Sequence, residues 1–152
     1  VFSDDELYDQ YNILRGKIKL IVNVLPYEFE LNEETNEYAI TKYYGNSEEE
    51  VIPETYNDLP VSSLNEKAFE NCVKLTEIKL PNGLTTIGTS AFTGCTGLTK
   101  VYIPSSVTSM AGFIFSGNTT LTVYYQGSEV PTEWNKYWNS TNRPIKLNQT
   151  GF

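Results

Sequence analysis

The nucleophiles and acids of this sequence are few in kind: two cysteines, Cys72 and Cys95, a total of 19 Asp and Glu residues, and no histidine. Without an imidazole, the Ser-His and Cys-His arrangements that activate a nucleophile cannot be assembled. Zinc loses its usual nitrogen ligand, and two cysteines alone do not complete a tetrahedral site. The clusters Asp4-Asp5-Glu6 and Glu48-Glu49-Glu50 lack the spaced oxygen ligands of a calcium loop and read as solvated acidic surface. A pair of carboxylates does acid–base work only inside a pocket, and no pocket-forming element is evident. The expectation is a protein that is not an enzyme, with no catalytic, cofactor-binding or metal-binding residue.

Charge narrows the partners. The net charge is −8, but residues 1–74 carry −10 and residues 75–152 carry +2. Nucleic-acid binding needs a basic stripe to displace counterions, and neither half has one. The longest apolar run, near Leu20 to Leu25, is interrupted by Asn23 and falls far short of the ~20 residues of a membrane span, so no membrane insertion is expected. A chain that is 39% hydrophobic and 20% charged is ordinary for one folded domain.

A longer pattern accounts for both cysteines. They stand 23 residues apart, and the residues around them keep the same interval. Leu75, Ile78, Leu80, Pro81, Leu84, Ile87, Ala91, Phe92 and Cys95 recur as Leu98, Val101, Ile103, Pro104, Val107, Met110, Ile114, Phe115 and Asn118, and Leu121 opens another unit. A period in the twenties with an L-x-x-I-x-[LI]-P opening is the signature of leucine-rich repeats, each laying down one short strand and one return arc. Leu75, Ile78 and Leu80 face inward, and Thr76, Glu77 and Lys79 outward. Pro81 ends the strand, because it cannot donate to the ladder and fixes its own φ. Leu84 and Ile87 re-enter the core, and Phe69, Phe92 and Phe115 are placed to stack as an internal ladder. Cys72 and Cys95 then occupy one place in adjacent coils. Stacked side chains point in parallel, so two buried free thiols are expected rather than a disulfide.

The segments IPETYNDLPVSSLNEKAFENC, KLPNGLTTIGTSAFTGC, VYIPSSVTSMAGFIFSGN and VYYQGSEVPTEWNKYWNSTNRPIKL resemble the BspA-like leucine-rich repeat family of bacterial surface proteins, also found in some parasitic protozoa. The resemblance runs from Tyr38 to Leu147. The third unit departs from it, with Ala111 for Gly88, Ile114 for Ala91 and Asn118 for Cys95, as suits a last coil before a cap. The resemblance implies an extracellular or cell-surface location and adhesion or binding to a host protein.

The fold expected is an α+β solenoid in three parts. Residues 1–26 lie outside the repeats: Ser3 to Glu6 is a capping box for a helix over 4–15, and Lys17 to Leu25 alternates as a strand. Residues 27–126 form the repeat domain. Its N-terminal cap is a β-hairpin of Tyr27 to Leu31 and Tyr38 to Tyr43, needed because an open solenoid end leaves core and strand edge bare. Gly45 to Glu50 reads as a polar loop, and Ile52-Pro53 opens a first, longer coil. Residues 127–152 form a C-terminal cap and tail, with Pro131 starting a short helix over 131–139 and Pro144 to Leu147 adding a final strand. On that helix Trp134 and Trp138 share a face. They serve either as a sugar-stacking platform or, as the need for a large apolar cap favours, as cover for the end of the core.

The strand face remains as a place to bind. Its outward residues are Thr76, Glu77 and Lys79, then Thr99, Lys100 and Tyr102, then Thr122 and Tyr124. Lys79, Tyr102 and Tyr124 align in one column once a residue is removed after Thr122. Threonine and tyrosine suit strands by propensity alone. Read functionally, Tyr102 and Tyr124 are anchors for an extracellular or host protein, with Lys79 and Lys100 as flanking contacts. The alternative is a structural spacer or terminal cap within a larger surface protein, associated with carbohydrate or cell wall.

Overall fold

Two left-handed corners in every repeat decide how the coil turns. Lys67, Ser90 and Phe113, at 23-residue intervals, have φ of 58°, 57° and 59°, and Asn71, Gly94 and Gly117 follow at 60°, 74° and 83°. A left-handed residue cannot continue a right-handed helix, so the return arc is a chain of tight turns. The computed structural model describes residues 25–150, and among them there is no α-helix. Over these residues the architecture is a β-solenoid, without the helical part of the expected α+β fold. The helix expected over 4–15, and the strand expected over 17–25 apart from Leu25, lie outside the described residues.

Eleven short strands among the described residues form two sheets. The first sheet contains β1 (Tyr27–Asn32), β2 (Glu37–Tyr43), β5 (Leu59–Leu64), β7 (Thr86–Ile87) and β9 (Ser109–Met110), with β4 (Thr55–Tyr56) paired to β5. The second runs β11-β10-β8-β6-β3, where β3 is Glu49–Val51, β6 Glu77–Lys79, β8 Lys100–Ile103, β10 Thr122–Tyr125 and β11 Ile145–Lys146. Its pairings are all parallel, one strand per coil, which gives five coils.

The inward residues read from the repeat are the core: Leu75, Ile78, Leu84, Ile87, Leu98, Val101, Ile103, Val107 and Leu121 are all buried. Phe69 and Phe92 stack with ring centroids 5.1 Å apart, and Phe92 and Phe115 at 5.9 Å. Backbone bonds cross between coils beside the rings, Phe69 N–H to Ala91 C=O at 2.8 Å and Phe92 N–H to Ile114 C=O at 3.0 Å. Donors that a helix would send four residues back go instead to the next coil. Backbones also approach closely at Gly88, where a Cβ would come within 2.6 Å of the Glu66 nitrogen.

Both ends are capped by β-structure. β1 and β2 form the expected antiparallel hairpin, and the Asn32 side chain organises its turn by accepting from Glu34 N–H at 3.0 Å and Thr35 N–H at 3.3 Å. Ile52 occupies the place of Leu80, as read, but Glu49 and Glu50 belong to β3 and not to a loop. The first coil is longer because β4 and β5 make an extra hairpin, turning at Asn57 and Asp58 with φ of 47° and 63°. At the other end, β11 is the expected last strand, whereas the helix over 131–139 is absent. Trp134 N–H bonds Pro131 C=O and Trp138 N–H bonds Asn135 C=O, both three residues back. Asn135 N–H reaches across to Met110 C=O, and Phe113 N–H to Tyr137 C=O, both at 2.9 Å. The segment folds as one more return arc, with Trp134 and Trp138 4% and 7% exposed over the open end of the core.

Candidate binding face

Parallel, in-register strands place residues of equal position in columns across the second sheet. One outward column reads Glu49, Glu77, Lys100, Thr122, and the next reads Val51, Lys79, Tyr102, Tyr124, Lys146. In the second column the Lys79 ammonium lies 5.5 Å from the Tyr102 ring centre. Tyr102 stacks on Tyr124 at 4.9 Å, and the Lys146 ammonium lies 5.1 Å from the Tyr124 ring centre. The result is a stack of two aromatic rings closed at each end by a cation, each cation–π contact worth about 0.5–1 kcal/mol at an exposed site.

Three of the four residues read from sequence, Lys79, Tyr102 and Tyr124, are thus brought together. Lys100 lies outside this column. It stands in the neighbouring one and donates to Glu77 at 3.1 Å, a bond that raises its pKa. Burial, followed by the negative charge of Glu77, raises the pKa of Tyr102. The one-residue shortening falls before Thr122 and not after it, since Thr122 already pairs with Lys100. Lys146, not among the residues read from sequence, joins the column. Its signal was the final strand from Pro144 to Leu147, which puts Lys146 at an outward position opposite Tyr124.

Both faces of each tyrosine ring are occupied within the column, so an incoming molecule meets ring edges and hydroxyls. Sugar stacking needs an open ring face, which this column does not present. Nor do the tryptophans: their rings are buried, and Trp134 Nε1–H donates to Val107 C=O at 3.1 Å.

The remaining chemistry-bearing groups have other employment. Glu50 accepts hydrogen bonds from the hydroxyls of Tyr27 and Tyr43, the latter at 2.7 Å, and so ties the hairpin to β3. Burial followed by the Glu50 contact raises the pKa of both tyrosines. Cys72 and Cys95 are free thiols, Cys95 buried as expected and Cys72 only half-buried. Against the expectation of no pocket, a depression of about 570 Å³ lies along the first sheet between the hairpin and the first coils, lined by Glu30, Glu37, Ser63, Glu66 and Thr86 among others. No three carboxylates or thiols among the described residues converge to hold a metal ion. Nor is any helix among them long and apolar enough to cross a membrane.

Residues 42–140 match the sequence profile of the family described as BspA type Leucine rich repeat region, in 6 copies. No curated protein matches the chain. Among solved structures, the T. pallidum leucine-rich repeat protein (TpLRR) is similar, with 27% identity and a TM-score of 0.65 over 72% of this chain and 50% of that one. This chain therefore spans about half the length of the T. pallidum protein. A leucine-rich repeat protein from Bacteroides ovatus has 21% identity and a TM-score of 0.57, covering 86% of this chain and 37% of its own. One from Bacteroides capillosus has 22% identity and a TM-score of 0.50, covering 83% and 96%. These last two show the fold alone.

Proposed function

Because the chain belongs to the BspA-type leucine-rich repeat family, we propose that it is a non-enzymatic binding module of a bacterial surface or secreted protein, engaging another protein through the second sheet. The observation that carries this reading is the Lys79-Tyr102-Tyr124-Lys146 column. Tyrosine supplies large contact area with little rotamer entropy to lose, and it is enriched among binding hot spots. Lysines at the two ends of the stack hold the rings in one orientation before a partner arrives, which lowers the ordering cost of binding. Closed ring faces favour a protein partner, which bonds hydroxyls and packs on ring edges, over a carbohydrate. The same closure supports a second reading, a spacer or terminal cap in a larger surface protein, because part of the aromatic surface is already spent within the sheet.

The test is a binding screen of the chain against extracellular-matrix and plasma proteins, followed by the double variant Tyr102→Ser, Tyr124→Ser. The rings point away from the core, so circular dichroism should show an unchanged fold while binding weakens at least about tenfold, or ~1.4 kcal/mol. A folded double variant that binds as tightly as wild type removes the strand face as the site. Binding by a longer chain but not by this one favours the spacer.

A further inference from the structure

Cys72 and Cys95 are the two nucleophilic side chains that the strand face leaves unused. They sit at equal positions of adjacent coils, but their surroundings differ. Cys72 is half-buried and lines a surface depression of about 280 Å³ together with Tyr44, Ser47, Asn71 and Lys74. Cys95 is fully buried behind it. The two side chains do not run in parallel as stacking alone would have them. Cys95 Sγ turns back to the coil that carries Cys72 and lies 2.9 Å from the Phe69 carbonyl oxygen, the same oxygen that accepts the Cys72 N–H at 3.4 Å. Both cysteines thus converge on one carbonyl oxygen, Cys95 through its sulfur and Cys72 through its backbone N–H. One cysteine is reachable from solvent, and the other lies buried in the adjacent coil with its sulfur turned back toward the first.

We propose that Cys72 and Cys95 form a thiol–disulfide exchange site, which takes a small-molecule disulfide at the depression over Cys72 and resolves it into a Cys72–Cys95 bond between adjacent coils. The Cys72 thiolate attacks one sulfur of the reagent. A bond forms from Cys72 Sγ to that sulfur, the reagent's S–S bond breaks, and one thiolate leaves. Cys95 then attacks Cys72 Sγ, and the mixed disulfide breaks to release a second thiolate, which takes up the Cys95 proton. The two cysteines lose two electrons and the reagent gains them.

The electrostatics agree with these roles. The neighbouring Cys95, aided by the positive charge of Lys42, lowers the pKa of Cys72, against a smaller opposing effect of burial. The nearby Cys72, followed by burial, raises that of Cys95. Cys72 is thus the thiol poised to attack. Conversion of its thiolate to a mixed disulfide removes the neighbouring negative charge that holds the Cys95 proton in place. Strands of neighbouring coils lie ~4.8 Å apart, inside the Cα range that a disulfide spans.

Oxidised glutathione added to the native chain, followed by acid quenching, intact mass and peptide mapping, tests the proposal. Wild type should lose the mass of two hydrogens and yield a peptide linking Cys72 to Cys95. Cys95→Ser should stop with one glutathionyl group on Cys72, and Cys72→Ser should stay unmodified. The rate should rise with pH around a midpoint below the ~8.5 of a free thiol. Two thiols still free in native wild type, a wild-type reaction that stops at the adduct, or first attack at Cys95 would overturn the site. Should Cys95→Ser fail to fold, the wild-type time course decides, since the Cys72 adduct must precede the cross-link.

Discussion

Trp138 stands one 23-residue repeat beyond Phe115 and meets its ring edge-on, with centroids 6.3 Å apart and planes at 73°. Tyr43 stacks on Phe69 at the opposite end, 4.9 Å between centroids. The internal ladder is therefore Tyr43, Phe69, Phe92, Phe115, Trp138, with phenylalanine where both sides are covered and an amphipathic ring where the stack meets a cap. The cap is chemically continuous with the coil interior.

Truncation within the ladder should show this continuity. Phe92→Ala removes a ring packed on both sides and should cost about 3–5 kcal/mol, and Trp138→Ala, packed from one side, should fall toward the lower end of that range. Urea midpoints measure both. A midpoint for Phe92→Ala near that of wild type would contradict the ladder.

The period made most of this interior legible. Nine positions repeated at one interval name the inward residues, and the three phenylalanines follow from them. Other features gave no such signal. The left-handed corners at Lys67, Ser90 and Phe113 use residues with no special turn chemistry, so their conformation comes from coil-to-coil bonding and not from local preference. Trp134 and Trp138, four apart after a proline, carry the same spacing whether the backbone is helical or bent by two tight turns. Only the absorption of Asn135 N–H by Met110 C=O decides between them. On the strand face, hydrophobic periodicity shows that the last coil is one residue short but not where: a gap after Leu121 or after Thr122 leaves Val123 and Tyr125 equally buried, and only the pairing of Thr122 with Lys100 decides.

Alkaline pH should loosen the N-terminal cap. Burial raises the folded-state pKa of Tyr27, Tyr43 and Tyr125 above the ordinary value near 10. Below that value both folded and unfolded chains keep these protons, and the contribution is fully present. As pH rises past it, the unfolded chain releases protons that the folded chain retains, so stability falls, by about 1.4 kcal/mol per pH unit for Tyr27, where the shift is large. Denaturant midpoints between about pH 9 and pH 11 should therefore drop, and Tyr27→Phe should flatten the drop. Equal slopes for wild type and variant would mean that Tyr27 titrates normally.

Asn118 occupies the place of Cys72 and Cys95, is 1% exposed, and has no partner for either its Oδ1 or its Nδ2. Thr141, a further 23 residues on, has its Oγ1 buried and unpartnered as well. An unsatisfied buried polar group costs about 1–3 kcal/mol, so Asn118→Cys in reducing buffer should raise stability by that order. Thermal midpoints check it, and a fall would mean that the amide is satisfied in solution. The sequon Asn118-Thr119-Thr120 should also stay unglycosylated when a eukaryotic cell secretes the chain, because the acceptor nitrogen is inaccessible, whereas Asn148 is exposed.

The two kinds of side chain in the column should separate in binding kinetics. Lys79 and Lys146 cap the tyrosine stack as cations on a chain of net charge −8, whereas Lys100 is paired with Glu77. A partner that docks here is steered by the two capping charges and held by the rings between them. Lys79→Gln with Lys146→Gln should therefore slow association by about tenfold at low ionic strength, an effect that fades as the screening length falls from ~10 Å at 0.1 M salt to ~3 Å at 1 M. Dissociation should change little. Tyr102→Ser with Tyr124→Ser should do the reverse, speeding dissociation while leaving association and its salt dependence nearly intact, because contact area lost in the bound state acts on the off-rate. Surface plasmon resonance across a salt series, with the partner found in the binding screen, resolves the two. If the lysine variant accelerates dissociation as strongly as the tyrosine variant, the cations are direct contacts. The caps would then belong to the interface itself and would not merely orient the rings.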